Sequence, residues 1–333
     1  MRIAVIGAAG GIGSVLADRL ACDSRYDLLL VDNLSSGNLT NFQNLDNKKE
    51  LIVSDFNQMD IETFSGTDIL ILLCAQSSLP ECQKNLVGSI SSNLITTAKA
   101  IEISQHHGTR IIFASSSAVY ENSIQLPFSE NSIVSPNLMY SLTKLFSEQL
   151  LESAQQTNNI HSVVLRFFNV FGPRQNYSRA NPPLINYVVR QAVRGEQIKL
   201  FAPPEQIRDY VYVNDLVTLI LKVIQSDISG FSIFNACSGL GVSMTSILET
   251  IQTEFQTQLD ILWGEPDQLW NSNSELFVRK APLSRERVAR ETLKKSIGNP
   301  QKVFEKYAWR AETKLEDAII KEMPFMRDIY RLN

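Results

Sequence analysis

The 333-residue sequence predicts an α/β protein: a doubly wound parallel sheet over roughly the first half, then a smaller, less regular C-terminal α/β part. Three observations predict it. Short apolar runs recur at 3–6, 28–31, 51–53, 69–73, 110–114 and 162–167, with helical stretches between them. Most of these runs are continuous rather than alternating, as expected of strands covered by helices on both faces. The first run leads through Gly7, Gly10 and Gly13 directly into a helical pattern.

That first stretch, MRIAVIGAAGGIG, is the most specific. A strand, a glycine-rich turn and a helix N-terminus form a cradle for phosphate. Glycines let the main chain approach a pyrophosphate, and free N–H groups and the helix dipole favour its charge. Glycines also make plain turns, so the order of the elements carries the argument. Asp32 closes the second run, where a carboxylate accepts hydrogen bonds from both adenosine ribose hydroxyls. It would repel a 2′-phosphate, and none of Ala8, Ala9, Asn33 and Leu34 is a basic residue that would attract one. The implied cofactor is NAD rather than NADP.

Helices are predicted over 12–21, about 89–106 and about 137–156. Beyond them, Asn181, Pro182 and Pro183 open a helix to Arg194, proline being tolerated in a first turn. A strand at 198–201, a strand at 210–213 leading into a helix over 214–225, and a strand at 232–235 follow. Ser243 caps a helix to Phe255, 264–282 is loop-rich, and 284–295 and 314–323 are helical. No repeat, low-complexity tract or flexible linker interrupts the chain. The expected organisation is a cofactor-binding domain over 1–170, with 202–240 returning to it. Residues 171–201 and 241–333 then form a substrate domain that closes over a shared cleft.

The net charge of −4, with both signs spread along the chain, argues against a nucleic-acid surface but allows a local basic pocket. Cys22, Cys74, Cys82 and Cys237 form no CxxC pair, and His106, His107 and His161 show no ligand spacing. The expectation is no structural metal and a reduced, cytoplasmic setting. The chain enters a strand at once, so no signal peptide is expected. The longest apolar run, 69–75, is too short to span a bilayer.

Two elements carry chemistry. Tyr140 and Lys144 stand four apart on a predicted helix and face the same way. An ammonium beside a phenol favours the phenolate, a suitable general base for a sugar hydroxyl. Such a pair can also be a solvated helix face, but of nine tyrosines only Tyr140 has a lysine four residues on. The second element is IIFASSSAVY, which places Ser115, Ser116 and Ser117 at the carboxyl end of a central strand, where open α/β sheets bind ligands. A serine there either turns the chain or hydrogen-bonds the reacting oxygen and shares its proton with Tyr140. No Gly-x-Ser-x-Gly elbow is present, which excludes the common serine-hydrolase arrangement.

GxxGxxG, VDNLSSG, AQSS, SSSAVY, YSLTK, RFFNVFGPRQ, RDYVYVNDL and WRAETKLEDAI occur in order. Together they resemble the extended short-chain dehydrogenase/reductases, specifically the NAD-dependent nucleotide-sugar epimerases and dehydratases, over most of the chain. The resemblance implies a Rossmann-like first domain and a catalytic Ser116, Tyr140 and Lys144. It places Gly7, Gly10, Gly11, Ile12, Gly13, Asp32, Asn33, Asp55, Phe56, Ala75, Asn93, Lys144 and Phe167 around NAD, Asp55 and Phe56 beside the adenine. Gln76, Ser117, Asn169, Arg208 and Arg279 fall on the substrate side. Asn169 and Arg208 match phosphate contacts, a suitable role for a charge-assisted clamp. Arg279 is the nearest candidate for a second diphosphate arginine, or else a solvated loop charge.

Similar 4,6-dehydratases carry Asp-Glu after the catalytic Thr, and related decarboxylases keep a Glu there. This chain has Ser117 and Ala118. An elimination would lack its acid and base, and VDNLSSG looks most like the UDP-glucose 4-epimerase group. The resemblance therefore implies C4 epimerisation of a UDP-hexose or UDP-N-acetylhexosamine through a transient 4-keto sugar. The alternatives are a nucleotide-sugar 4-ketoreductase, 2-epimerase or dehydratase, and a non-enzymatic NAD-sensing protein on the same fold. The helices at 89–106 and 137–156 match those of a four-helix dimer interface, which implies a homodimer. Glu121 departs from the family's usual Gly after Val-Tyr, and Leu72 and Cys74 alter its usual His-Leu-Ala-Ala.

Overall fold

The computed structural model describes residues 1–43, 50–175 and 182–332. The strands are β1 (Arg2–Ile6), β2 (Asp27–Asp32), β3 (Glu50–Val53), β4 (Ile69–Leu72), β5 (Arg110–Ser116), β6 (Ser162–Phe167), β7 (Asn169–Phe171), β8 (Ile198–Leu200), β9 (Ile207–Tyr212), β10 (Phe231–Ala236), β11 (Gly241–Ser243) and β12 (Ile261–Trp263). The helices are α1 (Gly11–Ala21), α2 (Leu79–Lys84), α3 (Leu86–Ile90), α4 (Thr96–His107), α5 (Met139–Asn158), α6 (Leu184–Arg194), α7 (Val213–Gln225), α8 (Met244–Phe255), α9 (Arg285–Leu293), α10 (Gln301–Tyr307) and α11 (Leu315–Leu332). Asn181, expected to open α6, lies outside the described residues.

Seven strands form one parallel sheet in the order β10-β6-β5-β4-β1-β2-β3. The order reverses between β1 and β4, which opens a crevice at their carboxyl ends. Alternate residues of each strand feed opposite cores. Ile3, Val5, Leu28, Leu30, Ile69 and Ile71 pack with α1 and α7 side chains such as Leu16, Leu20, Leu216 and Ile220. Ala4, Ile6, Leu29, Val31, Leu70 and Leu72 pack with Ala100 and Ile103 of α4 and Leu151 of α5. Burial of both faces is the reason the strands read as unbroken apolar runs. Of the segment expected to return to this sheet, β10 pairs with β6, whereas β9 pairs with β7 and β11 in a separate small sheet.

Several elements differ from expectation. The helix expected over 89–106 is interrupted by a π-helical turn, Ser91–Ile95, and is preceded by α2 and α3. A single wider turn of this kind is too short to show a period of its own in sequence. The strands β7, β11 and β12 and the helix α10 are too short to show a period. The last helix runs past Pro324, a residue that removes one hydrogen bond without ending the helix here.

The helix that carries Tyr140 and Lys144 is fastened from below. Glu148 of α5 forms a two-pronged ion pair with Arg166 of β6, Nε–Oε1 3.0 Å and Nη2–Oε2 2.6 Å, with both side chains under 5% exposed. Arg166 Nη1 also donates to the Tyr120 hydroxyl (2.8 Å), which donates to Asn235 Oδ1 of β10 (2.8 Å). Removing one partner of such a pair leaves a charge buried. Glu148→Ala is therefore expected to destabilise by about 3–5 kcal/mol, and Glu148→Leu with Arg166→Met to recover most of that loss. Urea unfolding of the three proteins checks this, a double variant no better than Glu148→Ala being the contrary result.

Candidate active site

Three cavities run in series along the carboxyl edge of the large sheet. One of about 310 Å³ lies over the glycine-rich turn, one of about 450 Å³ lies over β5 and α5, and one of about 510 Å³ lies farther out against α6 and α8. The first two meet at Leu73 and Ala75. The second and third share Asn169, Arg208, Tyr210 and Glu291. They form one continuous trench.

The first cavity fits a dinucleotide's adenosine end. Gly7 has φ +87°, a conformation that favours glycine, and a Cβ there would lie 2.6 Å from the Cys74 amide nitrogen. A Cβ on Gly13 would lie 2.1 Å from the Gly7 carbonyl oxygen. The turn can therefore press against β4 only as glycine, and this leaves Gly10 at the N-cap of α1. The Asp32 carboxylate is fixed by two main-chain donors, Ala9 N to Oδ2 and Leu34 N to Oδ1, both 2.8 Å. Each oxygen keeps a further acceptor site for a ribose hydroxyl. Asn33, Asp55, Phe56, Ala75 and Gln76 line the same cavity. Asp55 caps a short 3₁₀ turn through Asn57 N (3.0 Å), and Phe56 is 4% exposed against Phe64. Gln76, expected on the substrate side, lines this cavity, whereas Ser77 lines the middle one.

Asn93 sits in the π-helical turn. Its Oδ1 accepts from Gln76 N (2.8 Å), and its Nδ2 donates to Gln76 O (3.2 Å) and to Thr143 Oγ1 (3.0 Å). Thr143 donates in turn to the Tyr140 carbonyl (2.8 Å). Its carboxamide thus joins the cofactor loop to the helix of Tyr140, and sequence reasoning missed this brace.

The middle cavity brings together Ile12, Ser116, Ser117, Tyr140, Lys144, Phe167 and Asn169. The three serines divide their roles. Ser115 Oγ donates to Glu148 Oε1 on the buried side, and Ser116 Oγ accepts from Ala118 N (3.1 Å). Lys144 is 3% exposed, donates from Nζ to the Ala114 carbonyl (2.7 Å), and has its Nζ 6.0 Å from the Tyr140 ring centre. Burial lowers its pKa to about 8, against the charge of Glu148. Burial also pushes the Cys74 thiol up to about 12, so it stays a neutral filler behind the turn. Arg174 holds the loop after β7 onto α1 through Asp18 (Nη1–Oδ2 2.7 Å), and a Cβ on Gly11 would lie 3.2 Å from the Arg174 carbonyl.

On the far wall, Arg208 of β9 donates from Nη2 to the Glu291 carbonyl (3.0 Å). Its Nη1 is shielded from solvent without a partner among the described residues. Burial holds the guanidinium below its usual pKa, yet arginine stays charged. Asp209 beside it anchors β9 by accepting from Ser238 Oγ (2.7 Å) and from the N–H groups of Ser238, Gly239 and Gly298 (2.9, 2.9 and 3.1 Å). Asn169 Nδ2 donates to the Asp209 carbonyl (2.8 Å). Arg279 is not brought to the trench. It is exposed and donates to the Lys84 carbonyl (3.2 Å), because its loop follows two 3₁₀ turns outward. The other basic residue on this wall of the middle cavity is Lys294, whose pKa burial lowers. Asp215 of RDYVYVNDL proves structural: its carboxylate receives Glu312 N, Thr313 N and Thr313 Oγ1 at 2.9–3.1 Å and so holds the segment before α11.

A family model described as the NAD dependent epimerase/dehydratase family matches residues 3–237. The chain belongs to this family. Its NAD dependence agrees with the glycine cradle and Asp32. The chain is 26% identical over 336 residues to a UDP-glucose 4-epimerase of Mycolicibacterium smegmatis, covering 98% of this chain and 99% of the relative. It is 25% identical over 339 residues to UDP-glucuronic acid decarboxylase 6 of Arabidopsis thaliana, covering 100% and 89%. The crystal structure of a Thermotoga maritima UDP-glucose 4-epimerase with UDP-glucose superposes with a TM-score of 0.85 at 26% identity, covering 99% of each chain. Among the described residues, no helix is long and apolar enough to cross a membrane, and no three His, Cys, Asp or Glu residues gather as a metal site.

Two predictions follow from this geometry. Gly13→Ala, whose Cβ would collide with the Gly7 carbonyl, should be purified without NAD, and NAD released on denaturation measures it. Lys144 is charged below about pH 8 and neutral above it. Turnover that needs its charge should fall as pH rises through that value, and a kcat/KM profile flat from pH 7 to 9.5 would contradict this.

Proposed function

We propose that this family member is an NAD-dependent epimerase that inverts C4 of a UDP-hexose or UDP-N-acetylhexosamine. The observation that carries the reading is one cavity with Ser116, Tyr140 and Lys144 on one wall and the unpartnered Nη1 of Arg208 on the other. A shielded guanidinium donor without an acceptor is costly, and a diphosphate entering the trench would supply one. The relatives named above as UDP-sugar enzymes, and the neighbour crystallised with UDP-glucose, support UDP as the nucleotide.

Tyr140, as phenolate, takes the proton from the sugar O4 while Ser116 hydrogen-bonds the same oxygen. The Lys144 charge favours the phenolate and steadies the nicotinamide ribose. NAD, held by the glycine turn and Asp32, would supply a reversible hydride acceptor for C4. Asn169, Arg208 and Lys294 hold the diphosphate, so the 4-keto sugar turns while the nucleotide stays. Lys294 takes the place first considered for Arg279. Ser117 and Ala118 follow Ser116 without an acid, which favours return of the hydride over elimination or decarboxylation.

The remaining features belong to the same reading. Residues 1–170 with part of 202–240 hold NAD, and 171–201 with 241–333 hold the nucleotide sugar. Val87, Ile95, Phe146 and Leu150 are exposed on the helical layer formed by α3 to α5, which supports a homodimer across that layer. A cytoplasmic setting suits its substrates.

Proton NMR with UDP-glucose and UDP-N-acetylglucosamine, without added cofactor, tests the function. The C4 epimer should appear, and Tyr140→Phe should abolish it while NAD stays bound. Full activity of Tyr140→Phe would sink the role of that residue. Arg208→Met should raise KM by at least about 30-fold, the loss expected for a buried charged contact, and an unchanged KM would remove Arg208 from the diphosphate site.

A further inference from the structure

The helix that carries Tyr140 begins without a cap of its own. Its N-cap residue is Leu138, whose side chain accepts nothing, although the first N–H groups of any helix lack intrahelical acceptors. Distant side chains supply them. Glu121 Oε2 accepts from Asn137 N (3.0 Å) and Leu138 N (2.9 Å), and Gln83 Oε1 accepts from Met139 N (2.7 Å). A carboxylate there also faces the positive end of the helix.

The other oxygen of the same carboxylate reaches a different element. Glu121 Oε1 accepts from Arg287 Nη1 at 3.2 Å, and the Glu121 side chain is 4% exposed. Arg287 lies on α9, one turn before Glu291, which lines both the middle and the outer cavity. One side chain therefore holds the start of the helix of Tyr140 and the helix of the substrate wall. Glycine, the residue usual at this position in the resembling family, can do neither.

We propose that Glu121 is a positioning residue for Tyr140: it caps the catalytic helix from outside and ties it, through Arg287, to the wall of the substrate cavity. This rests on the role assigned to Tyr140 above. Tyr140 stands in the first turn and shifts if that turn frays. Lys144 stands one turn deeper, buried and anchored on the Ala114 carbonyl. Loss of Glu121 should therefore reduce the chemical step without releasing NAD, a separation that general destabilisation does not produce.

The test compares the holoprotein with Glu121→Ala, Glu121→Gln, Arg287→Met and Tyr140→Phe. The readouts are kcat, KM, bound NAD and amide exchange at residues 137–139. Glu121→Ala should lose on the order of tenfold or more in kcat, as a misplaced catalytic group does, with KM and NAD content near the parent's and faster exchange at Leu138 and Met139. Glu121→Gln keeps one acceptor oxygen for the 137 and 138 amides but loses the tie to Arg287, and its kcat should fall between those of the parent and Glu121→Ala. Parental kcat in Glu121→Ala, or a loss of NAD that matches its loss of rate, overturns the proposal. Should Glu121→Ala fail to fold, Arg287→Met decides: a reduced kcat with NAD retained supports the tie, and a parental kcat overturns it. A parent inactive on UDP-sugars, or an active Tyr140→Phe, overturns the reading of the site and this proposal with it. A parental Glu121→Ala beside an inactive Tyr140→Phe overturns this proposal alone.

Discussion

The buried ion pair of Arg166 and Glu148 fixes the relative positions of everything at the middle of the trench. It joins β6 to α5, and through Ser115, Tyr120 and Asn235 it reaches β5 and β10. Taking two charges out of water costs several kcal/mol per ion, which only good geometry and further hydrogen bonds offset. Both conditions hold here. The consequence is positional: the strand end that presents Ser116 and the helix face that presents Tyr140 and Lys144 cannot slide past one another without breaking a fully hydrogen-bonded network.

Much of the first half was legible in sequence because both physical signals there are local. Short continuous apolar runs alternating with helical stretches read as strands buried on both faces, and 162–167 matches β6 residue for residue. The glycine triplet was legible because sterics demand it: a Cβ on Gly7 or Gly13 would collide with main chain. The second half was less legible, since β7, β11 and β12 are three residues long and gain their stability from pairing partners far away. β9 holds β7 and β11 on either side, and nothing local announces that.

The same distinction divides the candidate site. Tyr140 and Lys144 were readable from helical spacing, and Asp32 from its place at a strand end. Arg279 was chosen by its position along the chain, but the two 3₁₀ turns before it carry it outward, and Lys294 fills the wall instead. Glu121 could be noticed only as a departure. Its partners are the amides of 137 and 138 and a guanidinium on α9, and no local pattern connects those three. In sequence Asn137 stands at the predicted helix start, and only the structure shows that the cap position is Leu138.

The two ends of the trench hold their ligands on different terms. At the cofactor end, the groups are main-chain N–H donors and a carboxylate already satisfied by Ala9 and Leu34. A cradle fixed in this way before binding leaves a dinucleotide little reorganisation to offset. At the far end, Arg208 keeps a shielded donor without an acceptor, and Lys294 is held below its usual pKa by burial. The resting wall there is less stable than it would be around an anion. In the proposed function, an anionic ligand gains binding free energy by giving Arg208 an acceptor, and turnover needs in addition a reacting carbon over Tyr140. A nucleoside diphosphate attached to a sugar meets both conditions; a free sugar meets one.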